Sequence, residues 1–346
     1  MLGIYDFEKY PRGRVLYKGL KKNGILVDLF LPKGPGLLKY AKIARRILSI
    51  DYDYLLVTGK ISLMIAVLLK PIHRKPIIFD AFISDYDTLV IDRKLVRKGS
   101  IKAQFLWWGD KLSCTLADLV ILDTQEHIDY FVSEFGLPKE KFKAILIGAD
   151  DDIFVPMKRM QKSKKFVVLF HGTFIPLQGI EHIIKAAKLL EKDEDILFEL
   201  VGDGQTFSAA RALANELKVK NVVFRGMMQI QEIPKRISNA DVCLGIFGTT
   251  PKAYRVIPNK FYEAIAMGKP VITADTPAIR RIFKNGENCL LCEAGSAHSL
   301  AKAVVLLKKN PLLRKKIANA AIAKFKKECS PKVIGQNLIN CIKEMI

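Results

Sequence analysis

Residues 254–275 read YRVIPNKFYEAIAMGKPVITAD, and the fold is decided by how this stretch is read. Pro258 suits the first position of a helix, where its missing N–H would have had no partner in any case. A short helical segment follows, Gly268 closes it, and Lys269-Pro270 leads into the β-rich run VIT. Lys260 and Glu263 stand three residues apart and so project from one helix face. The amides that follow Pro258 point out of the helix start toward any anion, Lys260 adds a cation, and Arg255 just upstream adds a second. Cations for a phosphate and a carboxylate for sugar hydroxyls describe a nucleotide pocket. The plainer alternative is a solvated Lys–Glu pair on a capped helix.

Upstream, FVVLFHGTFIPLQGIEHIIKAA (166–187) runs from an apolar strand through His171, Gly172 and Thr173 to a helix that starts after Gln178 and Gly179. A glycine there lets backbone approach a ligand closely, and the helix start suits a phosphate. FELVGDGQ ends a second buried strand in Gly202-Asp203-Gly204. Each could also be an ordinary tight turn.

Outward from these stretches, β-rich runs alternate with amphipathic segments along the whole chain, the pattern of βαβ units and a mostly parallel α/β sheet. Strands are expected at 2–5, 25–31, 54–58, 76–80, 119–122 and 143–147. They resume at 166–170, 196–201, 222–224, 242–246 and 271–273. The polar run PMKRMQKSKK (156–165) reads as a linker between a domain at 1–155 and one at 166–330, with a final helix at 331–346. Ligands of such doubly wound sheets sit beyond the carboxyl ends of the strands.

At 346 residues, 50% hydrophobic and 26% charged, the chain suits two domains and excludes a disordered or collagen-like protein. Its net charge of +21 calls for a polyanionic partner. The run 61–69 is too short to span a bilayer, which takes about 20 residues. The start, MLGIYDFEKYPRGR, lacks the order of a secretory signal, and six scattered cysteines suggest no disulfide framework, so a cytoplasmic location is expected. Asp150-Asp151-Asp152 reads as a solvated turn and Cys289–Cys292 as a strand, so no metal site is expected.

Taken in order, the glycine loop at Gly172, VGDG, NVVFRG, NADVCLGIF, PNKFYEAIAMGKPVIT and NGENCLL resemble the C-terminal half of glycosyltransferase family 4, the retaining, "group 1" enzymes of the GT-B fold. The resemblance implies two Rossmann-like domains facing a cleft, the first binding acceptor, with the last helix packing back on it. It implies that Glu263 bonds the donor ribose, that Lys260 and the helix start hold the diphosphate, and that Gly172 and Thr173 pack close to it. It further implies that Arg225, Gly226 and Met227 line the base, while Gly202, Asp203 and Gly204 border the nucleotide. Many members carry cations where this chain has Thr173 and Gln178, a glutamate where it has Arg255, and a histidine near Phe82 and Asp80. Lys260, Glu263, Arg255 and Asp80 are therefore the catalytic candidates. Glu8, Arg12, Arg14 and Asp85 are placed on the acceptor side.

The function so implied is a metal-independent, retaining hexosyltransferase without a cofactor. It would move sugar from a UDP or GDP sugar to a glycan or lipid-linked acceptor in cell-surface polysaccharide or glycolipid synthesis. An epimerase or phosphorylase of the same fold and a non-catalytic basic binding protein are the alternatives. No nucleic-acid-binding motif appears, so no nucleic acid is expected as partner. Two basic clusters bear on an anionic membrane surface. One surrounds Leu37–Leu48, whose Leu37, Leu38, Ala41, Ala44 and Leu48 share a helical face. The other, Arg93, Lys94, Arg97, Lys98 and Lys102, precedes Phe105, Trp107 and Trp108. A core-packing face with a solvated rim accounts for either pattern equally simply.

Overall fold

A computed structural model describes residues 1–3, 10–32, 36–159 and 165–345. The chain divides into two compact units, Met1–Ile147 with Pro331–Ile346, and Gly148–Ser330. The division falls at Ile147 rather than 155. The N–H of the buried Phe154 bonds the Asp150 carbonyl, and Arg159 pairs with Asp241 at 2.8 Å, so these residues are tied to the second unit. Of the expected linker, 160–164 lie outside the described residues.

In the first unit β1 (Leu2–Gly3), β2 (Leu55–Thr58), β3 (Ile77–Asp80), β4 (Leu119–Leu122) and β5 (Phe142–Ala144) form a parallel sheet in that order. The helices are α1 (Pro11–Lys22), α2 (Gly36–Ser49), α3 (Lys60–His73), α4 (Ile101–Leu116), α5 (Gln125–Phe135) and the last helix, α13 (Pro331–Lys343). Side chains alternate across the sheet. Leu55, Val57, Ile77 and Phe79 join a core with α2, α3 and α5, while Leu56, Ile78 and Ile121 join one with α1 and α13. Cover on both faces is why the strands read as unbroken apolar runs. The α1–α13 contact is backbone on backbone: a Cβ on Gly335 would lie 2.1 Å from the Gly19 carbonyl carbon.

Two expectations fail here. The run at 25–31 forms no ladder among the described residues; Phe30 N–H reaches the Met1 carbonyl at 3.0 Å, but Leu26 is fully exposed. In α2 the buried stripe is Ile43 and Ile47, so the core-packing reading of the other face fails, and its Leu38, Ala41 and Leu48 turn outward. The helix carries two apolar stripes, and the core took the isoleucine pair.

In the second unit β6 (Phe166–His171), β7 (Ile196–Val201), β8 (Val222–Gly226), β9 (Val242–Leu244), β10 (Val271–Ala274) and β11 (Leu290–Cys292) form a parallel sheet ordered β11-β10-β9-β6-β7-β8. Its helices are α6 (Ile180–Leu189), α7 (Phe207–Glu216), α8 (Ile233–Asn239), α9 (Asn259–Ala266), α10 (Pro277–Ile282), α11 (Ala297–Lys309) and α12 (Pro311–Lys324). The chain winds outward from β6 to β8, then crosses back to β9. The strand order therefore reverses between β6 and β9, and the loops leaving those two strands frame the crevice such sheets use for ligands.

Candidate functional site

At that reversal β6 ends in His171, buried, followed by Gly172 at φ 135°. That φ favours glycine, and a Cβ there would lie 2.9 Å from Lys260 Cε and displace the end of the lysine. A Cβ on Gly202, after β7, would lie 1.9 Å from the Gly172 carbonyl oxygen, so the two loops lie backbone on backbone. The turn between Gly202 and Gly204 is stitched by its own groups. Phe174 N–H donates to the Asp203 carbonyl at 2.9 Å, and Gly204 N–H to Asp203 Oδ1 at 2.6 Å. The loop from β6 is also pinned to the loop after β9, because Phe247 N–H donates to the Gln178 carbonyl at 3.0 Å.

Pro258 is the cap of α9, with an extended ψ of 152°, and Asn259 is the first helical residue, one place later than the sequence suggested. The amides of that first turn have no acceptor within the helix. Lys260 is 5% exposed. Its Nζ lies 3.8 Å from the Phe170 ring centre and donates to Gln178 Oε1. Burial pushes this ammonium well below the usual lysine range, and the Glu263 charge pulls it partly back. Glu263 Oε2 accepts from His171 Nε2 at 2.7 Å, which leaves the ring with its free nitrogen at Nδ1. That Nδ1 and Asn259 Oδ1 are buried without a hydrogen-bond partner among the described residues. Buried polar atoms are otherwise nearly always paired, so these two mark where a polar ligand would fit.

His171, Gly172, Gln178, Asn259, Lys260 and Glu263 are thus brought together, with Gly202 beneath them and Thr173 exposed at the rim, where a Cβ on Gly204 would meet its methyl carbon at 2.9 Å. Gly226 adjoins through its carbonyl, which accepts from Gly202 N–H at 2.7 Å. Arg225 Nε lies 3.3 Å from Glu199 Oε1, an oxygen it shares with Arg236, and Met227 is largely exposed at the end of β8. Arg255 is half-buried in the loop leading to α9. His171 was the residue most open to misjudgement, since one histidine ending a strand is often local packing; its signal was the glycine that follows it.

In the first unit two candidates change character. Arg12 is fully buried, its Nε 2.9 and 3.1 Å from the two oxygens of Asp80, with Nη1 donating to the Ile145 carbonyl at 2.7 Å. Tyr10 Oη donates to Asp80 Oδ2 at 2.7 Å. Asp80 thus ties α1 to the strand ends and also borders the small cavity beside Asp85, while Arg12, with no exposed surface, is a framework residue and not an acceptor contact. Asp85 does reach solvent. Lys60 Nζ, at the start of α3, bridges Asp85 at 2.5 Å and Asp110 at 2.6 Å, and a cavity of about 150 Å³ opens between Tyr10, Gly59, Lys60, Asp80 and Asp85. Arg14 is half-buried on α1, and Glu8 lies outside the described residues. His127, which carried no ligand signal, is fully buried with Nδ1 2.7 Å from Asp123 Oδ1. Asp150, Asp151 and Asp152 lie within 4.8 Å of one another, but Asp150 Oδ1 already accepts from Asp152 N–H at 3.0 Å.

Residues 155–324 match the family described as glycosyl transferases group 1. The chain is 22% identical over 249 residues to the alpha-D-kanosaminyltransferase of Streptomyces kanamyceticus, covering 69% of this chain and 63% of that protein. It is 30% identical over 156 residues to the phosphatidyl-myo-inositol mannosyltransferase of Mycobacterium leprae, covering 44% and 40%. The matched part spans less than two thirds of these curated relatives. Among solved structures, Anabaena Alr3699/HepE in complex with UDP-glucose superposes with a TM-score of 0.75 at 19% identity over 99% of both chains. The sucrose-phosphate synthase of Thermosynechococcus elongatus gives 0.72 at 16% identity, over 92% of this chain and 83% of that one. These likenesses establish the α/β GT-B fold class that the sequence led us to expect.

Proposed function

We propose that this chain, which through residues 155–324 belongs to the group 1 glycosyl transferases, moves a sugar from a UDP or GDP sugar to a glycan or lipid-linked acceptor with retention of anomeric configuration. The observation that carries the proposal is the convergence of Lys260, Glu263, His171 and Gly172 at the strand-order reversal of the six-stranded sheet.

In this reading the diphosphate enters over Gly172 and meets the first amides of α9. Lys260 leaves Gln178 and pairs as an ammonium with the phosphate; a dry pocket strengthens that attraction. Gln178 stands where a cation is common in the resembling family, and Lys260 Nζ lies on its side-chain oxygen. The positive charge of the site therefore comes from the helix rather than from the loop. A lysine at both places would set two ammonium groups side by side. Glu263, oriented by His171, receives the ribose hydroxyls, and the His171 Nδ1 and Asn259 Oδ1 positions bond the phosphate or sugar. Arg255 adds charge upstream. The leaving diphosphate takes the acceptor proton, so neither a protein base nor a metal ion is required; the protein supplies placement and charge stabilisation. Asp85 and Lys60 are the groups we assign to acceptor hydroxyls. A glycolipid acceptor is supported by the name of the Mycobacterium leprae relative, which acts on phosphatidyl-myo-inositol.

A thermal-shift screen against UDP, GDP, ADP and their sugar conjugates tests this. A ligand held at 100 times its Kd stabilises the native state by about 2.7 kcal/mol. UDP or GDP is expected to raise Tm, and release of free nucleoside diphosphate from the sugar conjugate is expected to require acceptor. No shift with any nucleotide would end the proposal.

A further inference from the structure

α4 is built inside out. Its fully buried positions are the small or polar Ala103, Asp110, Ser113 and Cys114, with Leu106 and Trp107 half-buried against the core, whereas Ile101, Phe105, Trp108 and Leu112 are 75, 74, 60 and 45% exposed. Steps of four, three and four residues hold these four within an arc of about 60°, at about 100° per residue. A surface helix ordinarily turns such a stripe toward the core. α3, which packs against α4, likewise exposes Ile61, Leu68 and Ile72. Contiguous exposed apolar surface of this kind marks an interaction site.

The exposed charges on α4 and in the loop that enters it have one sign. Lys94, Arg97 and Lys98 are exposed in the loop entering α4, and Lys102 and Lys111 stand on its two flanks. Between 93 and 112 the one carboxylate is Asp110, which is buried and bound to Lys60 at 2.6 Å. The aromatic pair is held from within. Trp107 Nε1 donates to Glu134 at 3.0 Å, Trp108 stands edge-on to Trp107 at 5.0 Å, and Lys111 Nζ lies 5.1 Å from the Trp107 ring centre.

We infer that the outer face of α4, extended by that of α3, seats on an anionic bilayer surface. The apolar stripe lies at the boundary of head groups and acyl chains, and the cations lie on lipid phosphates. The cytoplasmic leaflet, whose surface is anionic, is the matching one. A second copy of the chain would set these cations against their own kind, and a nucleic-acid backbone would leave the apolar stripe uncovered. The inference does not depend on the proposed activity.

Trp107 and Trp108 are the two tryptophans of the chain, so its emission reports on this helix directly. The full chain is mixed with vesicles of phosphatidylcholine alone or with phosphatidylglycerol added. Expected are a blue shift and quenching by brominated acyl chains with the anionic vesicles only, and at least about tenfold weaker binding when salt shortens the Debye length from about 10 Å toward 3 Å. The variant Phe105→Ser should cut partitioning. So should the triple variant Lys94→Glu, Arg97→Glu, Lys98→Glu, which alters exposed loop residues and leaves the thermal midpoint and any nucleotide-induced shift unchanged. Failure to bind anionic vesicles, equal binding to neutral ones, binding indifferent to salt, or a dimer that Phe105→Ser dissolves without any vesicle binding would each overturn the inference.

Discussion

At the carboxyl edge of the six-stranded sheet Lys260 is buried against a ring and an amide, with no carboxylate in ion-pair contact among the described residues. At the same edge of the five-stranded sheet Arg12 is buried with Asp80 across its guanidinium and two carbonyls on its remaining nitrogens. Both edges use a cation where parallel strands end, and both cations are inaccessible to bulk water. The difference lies in how completely each is satisfied. A buried charge paired with a carboxylate is part of the framework, while one held only by a ring and an amide is open to an anionic ligand.

The largest test of this contrast is Arg12→Met, which strands Asp80 in the interior and is expected to lower stability by about 3–5 kcal/mol in denaturant titration. A neutral effect would mean the pair is not structural. In the second unit Lys260→Ala and Glu263→Ala should each lower turnover by about 10²–10³-fold, with the cooperative unfolding transition retained. Normal turnover in both variants would remove the site. Gly335→Ala presses a methyl into Gly19 and should cost about 1–3 kcal/mol, read from the denaturation midpoint.

The smallest effects concern pH. Because the Lys260 ammonium is pushed below its unfolded value, near 10.4, the unfolded chain holds one more proton between the folded and unfolded pKa. This group therefore weakens the fold at low pH, and stability rises as pH climbs through that window. Lys260→Met should flatten the rise and raise Tm in the absence of nucleotide. Above the folded pKa, diphosphate binding should take up a proton, so affinity should fall as pH rises. Calorimetry in buffers of different ionisation enthalpy reads this uptake, and none in any buffer would mean that Lys260 is already charged in the free protein.

Much of the second unit was legible because its chemistry lies in short, contiguous stretches. Gly172, Gly202 and Gly204 adopt backbone angles that favour glycine, and Lys260 and Glu263 share a face by helical periodicity alone. The first unit was harder to read. Asp80 at a strand end is equally a catalytic carboxylate or the mate of a buried arginine, and the choice depends on Arg12, sixty-eight residues away in the chain. The stripe of α2 was left open between the core and a lipid surface, because both of its apolar stripes satisfy the same period and only packing selected Ile43 and Ile47 for burial. The apolar positions of α4 were visible, but not that they face outward. His127 gave no cue in the sequence, and its bond to Asp123 is visible only in the structure.

The sequence alone determined the alternation of parallel strands and helices, the glycine turns and the helix that carries Lys260 and Glu263, because periodicity and backbone stereochemistry act over a few residues. Only the tertiary structure decided which buried charges are saturated, that His171 grips Glu263 while Gln178 holds Lys260, and which apolar stripes meet solvent. Desolvation and pairing depend on atoms that distant segments bring within a few ångströms, and no local pattern encodes that distance.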